Sequence, residues 1–170
     1  MCLPRGEART PVNAVFESVR YAAGCPDCGA ELECWGVQAL VEGSLRWDTE
    51  SSCPSCGFAV AVCGGAVPDG LRERLLSEHG PALLRVDASA GNAAIMRVLR
   101  AELGLGLADV RSVLGEVVAG AYAGTMPEVE YLARKLRAAG IRAVAARRPV
   151  PGPRAEASGT ATGPAAAVGS

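Results

Sequence analysis

The sequence lacks the residue sets that most hydrolytic enzymes use for catalysis. It contains a single histidine, His79, and the Gly80-Pro81 pair behind it marks the end of a helix. We therefore interpret His79 as a helix-terminal residue rather than as a metal ligand or a general base. The chain has no Ser-His-Asp set, no paired carboxylates in a motif and no phosphate-binding loop. These absences argue against hydrolytic chemistry and predict a protein that is not an enzyme.

Long apolar stretches are absent as well. No run approaches the roughly 18 apolar residues of a membrane-spanning helix, and Met1 to Arg5 lack the continuous apolar segment of a secretion signal. These absences predict a cytoplasmic protein. In a reducing compartment, seven cysteines, an odd number, favour metal binding over a disulfide framework.

What the sequence does contain is a repeated cysteine motif. Cys25-Pro26-Asp27-Cys28-Gly29 and Cys53-Pro54-Ser55-Cys56-Gly57 share the pattern C-P-x-C-G, and 24 residues separate the two cysteine pairs. Proline fixes φ after the first cysteine and glycine can adopt a positive φ after the second, so each turn directs two sulfurs to one point. Two such turns form a tetrahedral four-sulfur site that suits Zn²⁺. The predicted metal ligands are Cys25, Cys28, Cys53 and Cys56; two disulfides or a redox CxxC pair are the alternatives.

The segments around these motifs are typical of short β-strands. Residues 12–22 are ambiguous between helix and strand, and we favour a strand that leads into the first motif. Alternation of polar and apolar residues predicts a β-hairpin between the motifs, and residues 58–63 are predicted to form a strand after the second motif. This order resembles the zinc-ribbon fold family over about residues 20–65, too few for an independent apolar core. Metal binding would supply the missing stability, on the order of 10 kcal/mol.

Three further cysteines lie outside the repeated motif. Cys34 and Cys63 fall on predicted strands, and the complete four-sulfur site leaves them no place as ligands. We expect each to pack as a small buried apolar residue, with a redox pairing between them as the alternative. Cys2 is expected to be an exposed thiol.

The second half of the chain has the pattern of a small α+β domain. Apolar spacing predicts the order β-α-α-β-α-β over residues 81–148. The strands are expected at 82–86, 121–125 and 141–146, and the helices at 92–103, 107–118 and 127–139. Thr125-Met126-Pro127-Glu128 is a capping box for the last helix. Gly106 is expected to supply the tight corner between the first two helices through a positive φ.

The predicted organisation is a small two-module protein, a β zinc ribbon followed by an α+β domain. An N-terminal arm covers residues 1–19, the zinc ribbon 20–66, a linker helix 67–80 and the second domain 81–148. Residues 149–170 are rich in Pro, Gly, Ala, Ser and Thr without periodicity, and predict a disordered tail.

Three stretches of the second domain carry a resemblance. They are Ala94 to Arg100 (A-I-M-R-V-L-R), Gly104 to Arg111 (G-L-G-L-A-D-V-R) and Ala133 to Gly140 (A-R-K-L-R-A-A-G). Over about residues 82–148 the chain resembles the C-terminal domain of the bacterial ribosomal stalk protein, whose fold is shared by the Clp-protease adaptor. The resemblance implies a surface that recruits translational GTPases, formed here by Met96, Arg97, Arg100, Leu107 and Arg111. The alternative is an amphipathic helix whose arginines only aid solubility.

The two halves of the chain carry net charges of opposite sign. Residues 1–80 hold 6 Arg and 11 Asp or Glu, a net charge of −5, whereas residues 81–148 carry a net charge of +4. The basic half is therefore the better candidate for an anionic partner. We expect a non-enzymatic adaptor that binds a protein with an acidic surface, such as a translation factor or another ribosome-associated protein. A nucleic-acid-binding zinc-ribbon regulator is the alternative, which the acidic ribbon disfavours, and a CxxC thiol oxidoreductase is a third hypothesis.

Overall fold

The computed structural model describes residues 14–87 and 89–147 of the chain. Within these residues it is an α+β structure with two antiparallel sheets and four helices. The predicted tail over 149–170, Cys2 and most of the predicted N-terminal arm lie outside the described residues. The elements are β1 (Val15–Gly24), β2 (Glu31–Val41), β3 (Ser44–Ser52), β4 (Ala59–Val62), α1 (Asp69–His79), β5 (Ala82–Val86), α2 (Asn92–Leu103), α3 (Leu107–Val118), β6 (Ala123–Gly124), α4 (Met126–Ala138) and β7 (Ala143–Arg147).

The first sheet has the order β1-β2-β3-β4. Glu42 and Gly43 make the β2–β3 turn with φ of 51° and 79°, values that match the right-handed twist of a two-residue hairpin. The strand expected before the first cysteine motif is β1. It begins at Val15, so the range expected as an arm, 1–19, ends inside a strand. The short strand β4 pairs with only the last four residues of β3.

Helix α1 packs on the first sheet instead of spanning open space between two modules. Leu75 is fully buried and forms an apolar cluster with Val19 and Trp47. The side chains of Arg74 and His79 also contact β1, at the carbonyl oxygens of Arg20 (2.6 Å) and Ser18 (2.8 Å). Because β1 is an edge strand, these contacts occupy carbonyls that another chain could otherwise pair with. The linker helix expected within 67–80 is thus part of the folded core.

The second sheet has the order β6-β5-β7. Together with α2, α3 and α4 it gives the β-α-α-β-α-β order that apolar spacing predicts. Its core includes five side chains that are at most 1% exposed: Leu84, Ile95, Leu99, Val110 and Leu132. Strand β6 has two residues, shorter than the expected 121–125, because only Ala123 and Gly124 pair with β5.

Two local features at helix ends depend on particular residues. The capping box is present at α4: Thr125 Oγ1 accepts from the Glu128 backbone N–H (3.4 Å), and the Glu128 carboxylate accepts from the Thr125 N–H (3.1 Å). The corner between α2 and α3 differs from expectation. Gly104 adopts the left-handed conformation (φ 63°), whereas Gly106 is extended with φ −69°. The prediction of a positive φ at Gly106 is therefore wrong, since it is the C-cap of α2 that requires one.

The two halves of the chain pack against each other through buried and half-buried polar groups. Thr125 Oγ1 donates to Gln38 Oε1 (2.6 Å), and the Met126 backbone N–H donates to Glu17 Oε1 (3.1 Å). Arg72 of α1 makes a bidentate pair with Glu128 at 2.8 and 2.7 Å. The first sheet thus completes the N-terminal cap of α4, and the ribbon and the second domain share one interface.

None of the helices described here combines the length and apolar character needed to cross a membrane.

Candidate functional site

The two cysteine motifs form turns with the same hydrogen bonds. In the first, Cys25 N–H donates to Ala30 O (2.7 Å) and Gly29 N–H donates to Cys25 O (2.9 Å). In the second, Cys53 N–H donates to Phe58 O (2.8 Å) and Gly57 N–H to Cys53 O (2.9 Å). Both glycines have positive φ, 73° and 79°. The C-P-x-C-G pattern therefore folds twice into one geometry, which places two sulfurs on each turn.

The four sulfurs of these turns converge. Cys25 Sγ lies 3.7 Å from Cys56 Sγ, and Cys28 Sγ lies 3.6 Å from Cys53 Sγ. All four sulfurs lie within 4.8 Å of one another. A tetrahedral centre with Zn–S bonds of about 2.3 Å requires neighbouring sulfurs to be about 3.8 Å apart. The four thiols are therefore placed to hold a metal ion with only small adjustments.

Burial and hydrogen bonding make the four thiols unequal. Cys25 and Cys53 are buried, and Cys28 and Cys56 are exposed. A hydrogen bond from the Cys56 backbone, more than any other contact, lowers the pKa of Cys53 to about 7. At Cys56 the Phe58 backbone lowers the pKa, but hydrogen bonding to Cys28 and desolvation outweigh it and raise this pKa to about 12. Metal binding at such a cluster must displace protons, so acid opposes it.

Neither of the other described cysteines lies in the four-sulfur cluster. Cys34 is buried, as predicted; it accepts a hydrogen bond from Ser51 Oγ (3.2 Å) and packs beside Leu32. Cys34 is a free thiol, so it forms no disulfide with Cys63. Cys63 is exposed, and the prediction that it is buried is wrong, because the residues of the short edge strand β4 that precede it are exposed too.

Four of the five residues in the expected partner-binding face line one groove. Met96, Arg97, Arg100 and Leu107 surround it with Ala93 and Ala101, and its volume is about 490 Å³. We call the groove formed by these six residues the α2–α3 groove. Leu107 is 54% exposed, whereas Met96 is half-buried and also packs against the core. Arg111 is exposed on α3 but does not line the groove.

The arginines of this groove differ from the basic residues of α4, which are ion-paired. On α4, Arg137 pairs with Glu130 (2.7 Å) and Lys135 pairs with Glu102 (3.1 Å). By contrast, the guanidinium groups of Arg97 and Arg100 make no ion pair or hydrogen bond with any residue in 14–87 or 89–147. Within the described residues, the groove thus combines an apolar floor with two unpaired positive charges.

The sequence did not reveal the polar contacts between the two halves of the chain. Glu17 and Gln38 are each 4% exposed, although both residue types are usually found at the surface. The only signal was a polar residue at an inward position of each strand. The partner of such a polar side chain can be identified only when the helix that packs on the strand is known.

Comparisons with protein-family models, curated proteins and solved structures found no match to this chain.

Proposed function

We propose that this chain is a non-enzymatic adaptor in which Cys25, Cys28, Cys53 and Cys56 bind one structural Zn²⁺ and the α2–α3 groove binds a protein partner. Two observations support this proposal. The four sulfurs have nearly the spacing of a tetrahedral centre, and the groove brings exposed apolar surface together with two arginines.

The chemistry of the cluster favours a structural ion over a catalytic one. Four thiolates complete the tetrahedral coordination of Zn²⁺, and catalytic sites keep one position open for water or substrate. Thiolate sulfur is also the donor that favours zinc over magnesium or calcium. In this protein the ion would connect the β1–β2 turn to the β3–β4 turn, whose strands otherwise contribute few buried apolar residues near the motifs. Zinc would therefore stabilise the end of the first sheet.

The partner of the groove is a protein with an acidic surface and an apolar side chain at its centre. Met96 and Leu107 offer adaptable apolar contact, and Arg97 and Arg100 can pair with carboxylates at the rim. Because the groove residues fall within the stretch that resembles the ribosomal stalk protein, a translational GTPase or another ribosome-associated factor is the partner to test first. The ribbon does not contribute to this groove.

The test is affinity capture with the full zinc-loaded chain from its native cells, quantified by mass spectrometry. Arg100→Glu is compared with Arg85→Glu, a matched reversal at an exposed arginine of β5 outside the groove. We expect Arg100→Glu to lose specific proteins that wild type and Arg85→Glu both retain, and the purified partner to bind faster at low salt. If both variants capture the same proteins as wild type, the groove is not the partner site.

A further inference from the structure

The first sheet has a second face that the helices leave uncovered. Residues that pair directly across antiparallel strands share a face, and successive residues alternate between faces. Glu17, Gln38 and Trp47 are mutual partners on the face that contacts α1 and α4. Arg20, Trp35 and Glu50 are mutual partners one step out of phase, so they lie on the opposite face.

This opposite face carries exposed aromatic and charged residues, and we call it the outer ribbon face. It consists of the exposed residues Phe16, Arg20, Glu31, Glu33 and Trp35 together with the half-buried Glu50. Trp35 is 45% exposed and Phe16 is 66% exposed. Arg20, Glu31, Glu33 and Trp35 help to line an open depression of about 750 Å³. A partly exposed indole that lines a depression beside charged residues belongs to the residue type that is enriched at protein interfaces.

The acidic residues of the outer ribbon face indicate that its partner is basic. Glu31 and Glu33 point outward on the same strand as Trp35, and Glu33 and Trp35 are both exposed. The Arg20 guanidinium lies 5.9 Å from the centroid of the Trp35 ring, so the protein's own cation already lies over this indole. A cation of a partner could contact only the part of the ring that stays exposed. Carboxylates beside an indole attract arginine or lysine side chains and repel the phosphates of nucleic acids.

The spacing of these groups fits an extended segment. Glu31, Glu33 and Trp35 occupy alternate positions of β2, so successive members of the row lie about 6.7 Å apart. Basic residues at alternate positions of an extended peptide have the same spacing. A helical segment would present neighbouring residues of one face about 5–6 Å apart instead.

We propose that the outer ribbon face binds an extended basic segment of a partner protein, with arginine or lysine side chains against Glu31 and Glu33 and beside the exposed part of Trp35. This surface lies on the first sheet and is separate from the α2–α3 groove, so it does not depend on the function proposed for that groove. The protein then has two interaction surfaces of opposite charge, the groove for an acidic partner and the ribbon for a basic one.

The experiment uses the full zinc-loaded chain and a fluorescein-labelled hexapeptide of alternating arginine and valine. Binding is measured by fluorescence anisotropy, with a glutamate–valine peptide as the probe control. Glu33→Gln is compared with Glu73→Gln, the same change at an exposed carboxylate of α1. We expect Glu33→Gln to raise the Kd about threefold, Trp35→Ala to raise it about tenfold, and Glu73→Gln to change it less than twofold. Circular dichroism confirms that each variant is folded.

Acrylamide quenching provides a second readout that a change in stability would not mimic. Trp35 is exposed and Trp47 is 6% exposed, so quenching of the native protein reports mainly on Trp35. We expect the basic peptide to protect this fluorescence and the acidic peptide to leave it unchanged.

Four results would overturn the proposal. They are equal affinity for the two peptides, equal effects of Glu33→Gln and Glu73→Gln, peptide binding that appears only after deletion of residues 1–13, and a concentration-dependent dimer in light scattering that Glu33→Gln abolishes. The third result would assign the face to the chain's own N-terminal segment, and the fourth to a second copy. None of these results bears on zinc binding or on the groove.

Discussion

Gly36 lies where the first sheet has no room for a side chain, so we expect its substitution to destabilise the protein. A Cβ at this position would lie 2.1 Å from Cζ2 and 2.3 Å from Cη2 of Trp47. Both groups are constrained, because Gly36 is in the middle of β2 and the indole is packed against Val19 and Leu75. Even alanine therefore requires the ring or the strand to move by more than about 1 Å to reach ordinary contact distance.

The loss of stability in Gly36→Ala depends on how the Trp47 ring responds to the added Cβ. If Trp47 adjusts in place, the overpacking costs about 1–3 kcal/mol. If the ring leaves its site, exposing about 200 Å² at about 25 cal/mol per Å² costs about 5 kcal/mol. We expect Gly36→Ala to lower the free energy of unfolding by about 3 kcal/mol. This corresponds to a fall in Tm of about 10 °C for a domain of this size.

The assay is thermal unfolding of the zinc-loaded protein, followed by circular dichroism and tryptophan fluorescence. Gly24→Ala is the matched control, because Gly24 is also in the first sheet and a Cβ there would meet no atom within 4 Å. We expect Gly24→Ala to change Tm by less than about 2 °C, and Gly36→Ala to shift the native emission to longer wavelength. Equal Tm values for the two variants would refute the assigned contact between Trp47 and Gly36.

Three further predictions concern the second domain. Gly104→Ala should cost about 1 kcal/mol and Gly106→Ala much less in thermal melts, because only Gly104 has a positive φ; equal losses would contradict the assigned corner. Desolvation opposes ionisation of Glu128, but the hydrogen bonds from Arg72 dominate and lower its pKa below 4.5. A lowered carboxyl pKa stabilises the fold above pH 4.5, and this contribution disappears as pH falls through the folded-state value. Glu128→Gln should therefore reduce Tm at pH 7 and have a smaller effect near about pH 3, and a pH-independent difference would contradict this. Met96→Ala should both lower Tm by several degrees and speed partner dissociation, since Met96 packs on the core and lines the groove. A lower Tm with unchanged dissociation would contradict its role in partner binding, and faster dissociation with unchanged Tm would contradict its role in the core.

The local structure was predictable wherever a short motif determines the backbone. The cysteine turns, the capping box and the helix bounds at 92–103 and 107–118 all follow from residues within a few positions of one another. The candidate metal ligands belong to the same class, because each C-P-x-C-G turn sets the direction of its own two sulfurs. The β2–β3 hairpin between the two motifs is needed only to bring the two sulfur pairs together.

Long-range packing was not predictable from the same patterns. Glu17 and Gln38 are polar residues on half-buried strands, and their role appears only where the N-terminus of α4 meets the first sheet. The packing of the linker helix α1 on the first sheet was not predictable for a similar reason. Its single fully buried leucine, Leu75, is a weak sequence signal, yet it contacts Val19 and Trp47 of the sheet. Because the contacts of Glu17 and Gln38 join the two halves, loss of the ribbon should also lower the stability of the second domain.

The central claim is that the four motif cysteines bind one zinc ion. Native mass spectrometry of the full chain, purified without added metal, measures this directly, and zinc is identified by elemental analysis. We expect one zinc per chain in the wild type and in Cys34→Ala, since Cys34 is a free thiol outside the four-sulfur cluster. The double substitution Cys25→Ser/Cys53→Ser should abolish binding. One zinc retained by the double variant, or a wild-type chain whose four motif cysteines are paired as disulfides without metal, would contradict the account.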